Sequence, residues 1–328
     1  MKKASFIAVA TAATFMAGTA AAGTLEDVKA KGFIQCGVTT GLAGFAAPND
    51  KGEWEGFDVA VCRAVAAAVL GDKNAVEFVP TTGKTRFTAL ASGEIDFLAR
   101  NTTWTFSRDT DLKFDFIGVN YYDGQGFMVP KALGVSSAKD LDGATVCIQT
   151  GTTTELNLAD FFRKNNISYE PVPVETNAEG QQQYLAGACD TYTTDASGLA
   201  ATRATFETPG DHILLPEIIS KEPLGPLVRH GDNDWGDITR WVLNALIAAE
   251  ELGVTSANIE EMTGNSNNPE IARLLGNEGT LGEMIGLDAE WAKRAIMAEG
   301  NYGEIFAKNI GEETPIGLAR GLNAQWTD

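Results

Sequence analysis

Between residues 33 and 192, short apolar runs of strand length alternate with longer stretches whose apolar positions recur at helical spacing. Residues 33–38, 76–79 and 95–99 read as strands, and residues 58–70 and 85–92 as the helices between them. Strand, helix, strand in that order is a βαβ unit, which predicts a parallel sheet with helices on its faces. The pattern restarts after Phe127-Met128-Val129-Pro130-Lys131, with strands at 144–149, 169–174 and 188–192 and helices at 154–165 and 178–186. A second α/β lobe is therefore expected from residue 130. Residues 222–229, extended and marked by Pro223, Gly225 and Pro226, read as a return strand to the first lobe. Lobe one then comprises residues 23–129 and 222–328, and lobe two residues 130–221. Beyond the return strand, Ile238, Trp241, Val242, Ala245, Leu246, Ala249 and Leu252 recur at helical spacing, with Gly253 as the cap. Residues 254–287, rich in Gly, Asn and Glu, read as loops with short helices, and residues 289–310 as a last helix or pair.

The first 22 residues lie outside this pattern. Lys2 and Lys3 precede an apolar run from Phe6 to Met16, and Ala20-Ala21-Ala22 supplies the small residues of a cleavage site. That is a secretory signal peptide, and the mature chain is expected to begin near Gly23. No later segment approaches the roughly eighteen consecutive apolar residues a membrane span requires, so a soluble exported protein is expected. A net charge of -19 argues against nucleic acid and anionic lipid as partners.

Export also bears on Cys36, Cys62, Cys147 and Cys189, an even set in an oxidising compartment. Three pairings are open to four cysteines. Cys36 with Cys62 is favoured, because a helix carrying Val61, Val65 and Val69 on its apolar face can bring Cys62 onto the first strand. Cys147 and Cys189 flank two later strands and form the other pair. Four reduced, buried cysteines are the competing reading. No metal site is expected, since no CxxC occurs and His212 and His230 are the only histidines.

The densest chemistry follows the strand at 95–99: Arg100-Asn101-Thr102-Thr103-Trp104-Thr105-Phe106-Ser107-Arg108. A free amino acid needs a fixed guanidinium, backbone donors and a carboxylate set close together. Arg108 is the candidate guanidinium, although Asp109 and Asp111 beside it also fit a surface ion pair. Gly151-Thr152-Thr153-Thr154-Glu155 follows a strand and opens a helix. Thr152 and Glu155 match a capping box, and free N–H groups there would attract a carboxylate. Asp195 follows the strand ending near Tyr192 and is either a partner for an ammonium or the N-cap of the next helix. Trp104 could stack over a ligand or belong to the core, and Phe45, in a Gly-rich loop, could wall a pocket or anchor the loop.

Gly56-Phe57-Asp58-Val59-Ala60-Val61-Cys62, followed by Arg63-Ala64-Val65-Ala66, resembles the signature of the polar amino-acid-binding proteins of bacterial ABC transporters, solute-binding protein family 3. Ala60 stands where an acidic residue is usual. Further motifs of the family follow in order: Leu90-Ala91-Ser92-Gly93-Glu94-Ile95-Asp96, Thr105-Phe106-Ser107-Arg108, Phe114-Asp115-Phe116, Asp140-Leu141-Asp142-Gly143, Gly151-Thr152-Thr153 and Thr194-Asp195. The likeness covers residues 33–230 and resumes at Gly300-Asn301-Tyr302-Gly303.

The resemblance implies a periplasmic-binding-protein-like type II fold: two α/β lobes joined by two hinge strands and closing over a free L-amino acid. The partners would be that ligand and a membrane permease, with no cofactor, no catalysis, a periplasmic location and a monomeric state. By motif position, Arg108 and the Thr103 backbone would hold the α-carboxylate with the N–H groups around Thr152 and Thr153. Asp195 would take the α-ammonium, and Asn101 falls where small polar contacts occur. Arg100 stands where the family carries small residues, so it would read an acidic side chain or serve between lobes or at the surface. The insertion at residues 252–298 resembles the subgroup binding many L-amino acids, including glutamate, glutamine, aspartate and asparagine. That subgroup continues a little past the point of Asp328, so slight trimming is expected.

Two other readings share the architecture. An exported dehydratase acting on amino-acid precursors would need a nucleophile and base, and His212 and His230 both look like turn residues. A receptor ectodomain would continue into a membrane span.

Overall fold

The computed structural model describes residues 23–265 and 267–327, so the export signal read in residues 1–22 lies outside the described residues. The chain begins α1 (Thr24–Lys31), β1 (Ile34–Thr39), a small hairpin of β2 (Ala47–Pro48) and β3 (Trp54–Glu55), then α2 (Phe57–Leu70). β4 (Val76–Thr81), α3 (Arg86–Ser92), β5 (Phe97–Leu98), a π-helical turn (Ser107–Asp111) and β6 (Phe114–Phe116) follow. The second run is β7 (Tyr121–Asp123), β8 (Gln125–Pro130), β9 (Ala144–Gln149), α4 (Thr153–Asn165), β10 (Tyr169–Val174), α5 (Asn177–Leu185), β11 (Thr191–Asp195), α6 (Ala196–Ala204) and β12 (His212–Leu214). The chain returns through β13 (Glu222–Leu224) and β14 (Leu227–Arg229). It then continues as α7 (Asn233–Glu251), α8 (Ile259–Asn265), α9 (Pro269–Leu274), α10 (Leu281–Met284), α11 (Trp291–Glu299) and α12 (Tyr302–Asn309).

Two five-stranded sheets result, ordered β4-β1-β5-β14-β6 and β10-β9-β11-β8-β12. In each, three parallel strands carry βαβ crossovers, and an antiparallel strand runs beside them, the returning β14 in the first sheet and the leading β8 in the second. β7 and β13 pair antiparallel between the lobes, Tyr121 opposite Leu224 and Asp123 opposite Glu222. β8 belongs to the second sheet, a few residues ahead of the expected boundary at 129/130. β11 lies later than expected, because Asp190 turns its carboxylate back onto the Thr145 backbone N–H (2.8 Å) and the ladder starts at Thr191. As a consequence Asp195 ends the strand.

α2 is apolar nearly all round, and eleven of its fourteen residues are buried. A helix of that kind must be enclosed, and here β1 covers one side while α7, α11 and α12 cover the rest. The insertion thus completes the first lobe. Its Arg294 donates to the carbonyls of Ala67 (3.1 Å) and Ala68 (2.9 Å), satisfying the end of α2 with a cation at the negative pole of the helix.

The cysteines are joined as Cys36–Cys62 and Cys147–Cys189, with Cα–Cα distances of 6.2 and 5.6 Å, the pairing favoured from the strand and helix positions. Closing loops of this length disfavours the unfolded chain by on the order of 3–4 kcal/mol per bridge.

Candidate functional site

The loops at the carboxyl ends of parallel strands are where open α/β sheets place ligands, and both sheets turn those ends toward each other. Asn101, Thr103, Arg108, Thr153 and Asp195 are brought together there, from both lobes. Asn101 has a left-handed φ of 30°, held by a hydrogen bond from its N–H to Asp58 Oδ2 (3.0 Å). Its amide nitrogen reaches Asp195 Oδ2 (3.5 Å), while its Oδ1 is buried without a partner. Burial lifts the Asp58 carboxyl to about 6, against the hydrogen bonds from Asn101 and Asn120.

Arg108, on the π-helical turn, is buried, which excludes the surface ion pair that Asp109 and Asp111 suggested. Its Nη1 donates to the Thr103 carbonyl (2.9 Å) and its guanidinium lies 5.1 Å from the Phe87 ring. Arg100 is buried too, donating from Nε to the Thr81 carbonyl (3.1 Å), so it has no surface role. A third buried guanidinium, Arg86, approaches the same Phe87 ring at 4.9 Å. It donates to Thr102 Oγ1 (3.1 Å) and across the lobes to the Gly151 carbonyl (3.5 Å), and its Nε has no partner. Burial lowers the pKa of all three: Arg100 and Arg108 to about 10, and Arg86, which also feels both other cations, well down. Asp195 and Glu222 oppose this at Arg108.

On the second lobe the capping box read at Thr152 and Glu155 does not form. The Thr152 hydroxyl donates backward to the Gln149 carbonyl (2.7 Å), and Glu155 accepts from the Gly151 N–H (2.7 Å). The N-terminus of α4 therefore keeps its first N–H groups free of side-chain caps. Asp195 occupies the N-cap position of α6 without capping it. Asp123 of β7 caps instead, accepting from the Ser197 N–H (3.4 Å) and hydroxyl. Asp195 is thus left without a backbone group to cap, its pKa raised well above the usual range by burial, then by Asp123 and Glu222. Asp123 itself is lifted to about 6 by burial.

Phe45 is 1% exposed and meets Phe57 and Tyr121 edge-on at 6.2 and 5.9 Å, the position of a loop anchor. Trp104 is 39% exposed, stacked on Phe116 at 5.3 Å and hydrogen-bonded to Asp109 (2.6 Å), neither core nor fully free.

Sequence reasoning missed Arg86, read as helix, and Glu222, read as part of the return strand. The signal for Arg86 was its place at the start of α3, in the βα connection that follows β4, with a cation beside Phe87.

Residues 34–258 match the family model described as bacterial extracellular solute-binding proteins, family 3. The chain belongs to this family. It is 66% identical over 327 residues to the glutamate/glutamine/aspartate/asparagine-binding protein BztA of Rhodobacter capsulatus, covering 100% of this chain and 97% of that relative. It is 59% identical over 312 residues to the general L-amino acid-binding periplasmic protein AapJ of Rhizobium johnstonii, covering 94% and 91%. Among solved structures, a periplasmic binding protein from Brucella ovis with glutathione bound superposes with a TM-score of 0.91 at 58% identity, covering 93% of this chain and 96% of that one. These family members are named as binding proteins, not enzymes. Among the described residues no helix is long and apolar enough to cross a membrane.

Proposed function

We propose that this chain is the substrate-binding component of an ABC importer for L-amino acids, exported to the periplasm by residues 1–22 and handing its ligand to a membrane permease. The observation that carries this reading is a buried guanidinium, Arg108, on one lobe and a buried acid, Asp195, on the other, the acid held against Asn101 of the first lobe (3.5 Å) and near enough for its charge to sustain that of Arg108. Together they complement the two charges of one zwitterion. Arg108 and the free N–H groups at Thr152 and Thr153 take the α-carboxylate, where a helix N-terminus favours negative charge. Asp195 and Asn101 take the α-ammonium.

Arg86 and Arg100 then face the rest of the ligand. A guanidinium only donates, so it binds a carboxylate oxygen and an amide oxygen alike. That fits a range such as the one in the name of the Rhodobacter relative, in which acids and their amides appear together. Trp104 and Phe45 support the walls through Phe116 and Tyr121. The lobe crossings are best placed at β7 and β13, which puts residues 125–221 in the second lobe.

Calorimetric titration of refolded, ligand-free protein against L-amino acids tests the assignment. Glutamate, glutamine, aspartate and asparagine are expected to bind, and no heat from any amino acid would refute it.

Closure over the ligand depends on a close approach at the cleft mouth. A Cβ on Gly83 would lie 2.5 Å from the Thr150 carbonyl and 3.2 Å from Thr152 Cγ2, both on the opposite lobe. Beside it, Glu175 of the second lobe accepts from Thr82 Oγ1 (2.9 Å) and pairs with Lys84 (3.1 Å). Gly83 does not have a positive φ, so alanine fits its backbone and collides only with the closed partner lobe. Gly83→Ala is expected to leave the unliganded melting temperature nearly unchanged. Overpacking of about 1–3 kcal/mol would weaken glutamate binding roughly ten- to a hundred-fold. Small-angle scattering should show the liganded variant more open than the native protein, and equal compaction would refute this.

A further inference from the structure

Glu222 is 2% exposed on β13, one of the two strands that join the lobes. Four donors meet its carboxylate. Oε2 accepts from the hydroxyls of Thr103 (2.5 Å) and Thr153 (3.1 Å). Oε1 accepts from Asn157 Nδ2 (2.7 Å) and the Ser220 hydroxyl (2.5 Å). Thr103 comes from the first lobe, and Thr153 and Asn157 from α4 of the second. The two threonine oxygens lie 3.4 Å apart across the lobe boundary, and the Thr103 carbonyl is the acceptor for Arg108.

A threonine hydroxyl carries one proton and two lone pairs. Once that proton is directed at Glu222, only lone pairs remain for a third neighbour. We propose that Glu222 is a positioning residue that fixes the hydroxyls of Thr103 and Thr153 as acceptors toward the cleft, so that they select the ammonium of an α-amino acid and reject the matching 2-oxo acid. An ammonium offers three N–H donors, and Asp195 with the two oxygens supplies acceptors for them. A 2-oxo acid of the same skeleton sets its own lone pairs against those oxygens, and a buried polar pair without a shared proton is costly. The inference rests on the amino-acid reading of the cleft and adds to it the source of discrimination against the deaminated ligand.

Glu222→Gln tests it with little change of shape. An amide presents one acceptor and one donor, so its NH2 group at the threonine side would donate to both oxygens and turn their protons into the cleft. Titration with L-glutamate and with 2-oxoglutarate should show glutamate weakened about ten-fold or more and 2-oxoglutarate changed less than about three-fold. Against a background carrying both Thr103→Val and Thr153→Val, E222Q should add little, because the effect travels through those two hydroxyls. Thr103→Val and Thr153→Val should each narrow the glutamate-to-2-oxoglutarate ratio with the hinge carboxylate intact, which keeps the idea testable if E222Q does not fold. Equal loss of both ligands, or an unchanged ratio in all three variants, overturns the inference and leaves Glu222 as a tie between lobes. A native protein that binds no amino acid defeats the reading beneath it, and the inference with it, a result distinct from either.

Discussion

Arg108→Ala is expected to give a folded protein that no longer binds L-glutamate measurably. The native guanidinium is buried, stacked near Phe87, and among the described residues makes one side-chain hydrogen bond, to the Thr103 carbonyl. The rest of its planar fork is therefore open to a bidentate carboxylate. Burial disfavours its charge, and Asp195 and Glu222 sustain it. Truncating one member of a buried charge pair costs 2–5 kcal/mol or more, and here, where the ligand carboxylate would be left without its cation, about 5 kcal/mol, or several thousand-fold, is expected. The fold loses little, because removing Arg108 also relieves repulsion at Arg86 and Arg100, both of which feel it. Arg108→Lys keeps the charge without the fork and should fall between. Calorimetry and thermal melting on the same samples separate the effects, and native glutamate affinity in the alanine variant would defeat the assignment.

The alternation of strand and helix was legible because burial imposes periods of 2 and 3.6 on apolar positions, and both lobes show it. Cys36 and Cys62 could be paired for the same reason, since a strand and the helix packed on it were both visible. Side-chain hydrogen bonding carries no such period. Thr152 and Glu155 have the spacing of a capping box, yet the Thr152 hydroxyl turns to Gln149 and the box fails. Asp195 sits where an N-cap belongs, but Asp123, remote in the chain, takes over the capping and releases it. Glu222 is tied to Thr103 across the hinge, a pairing that depends on two lobes meeting and leaves no local trace. Arg86 was hidden because a buried charge stands out only once its surroundings are known.

Asp195→Asn is expected to move stability and binding in opposite directions. The native carboxyl is buried near Asp123 and Glu222, which together with burial raise its pKa, while Asn101 and Arg86 pull the other way. Its folded-state pKa lies above the unfolded value, so the stability linked to it is fully present below the unfolded pKa and is lost as pH rises through the folded one. Asp58 and Asp123, both lifted to about 6, act with the same sign. Acidifying the unliganded protein from neutrality toward pH 5 should therefore raise its melting temperature as far as these groups decide it. Glutamate affinity should fall as the pH drops, since a protonated Asp195 no longer pairs with an ammonium. The asparagine variant removes one of three crowded carboxyls and should melt higher than the native protein at pH 7. It should also lose about 4 kcal/mol of glutamate binding, roughly a thousand-fold. The rise in melting temperature on adding ligand should all but vanish. A variant that melts lower than the native protein at pH 7, or that keeps the full ligand-induced rise, would show that Asp195 serves the fold and not the zwitterion.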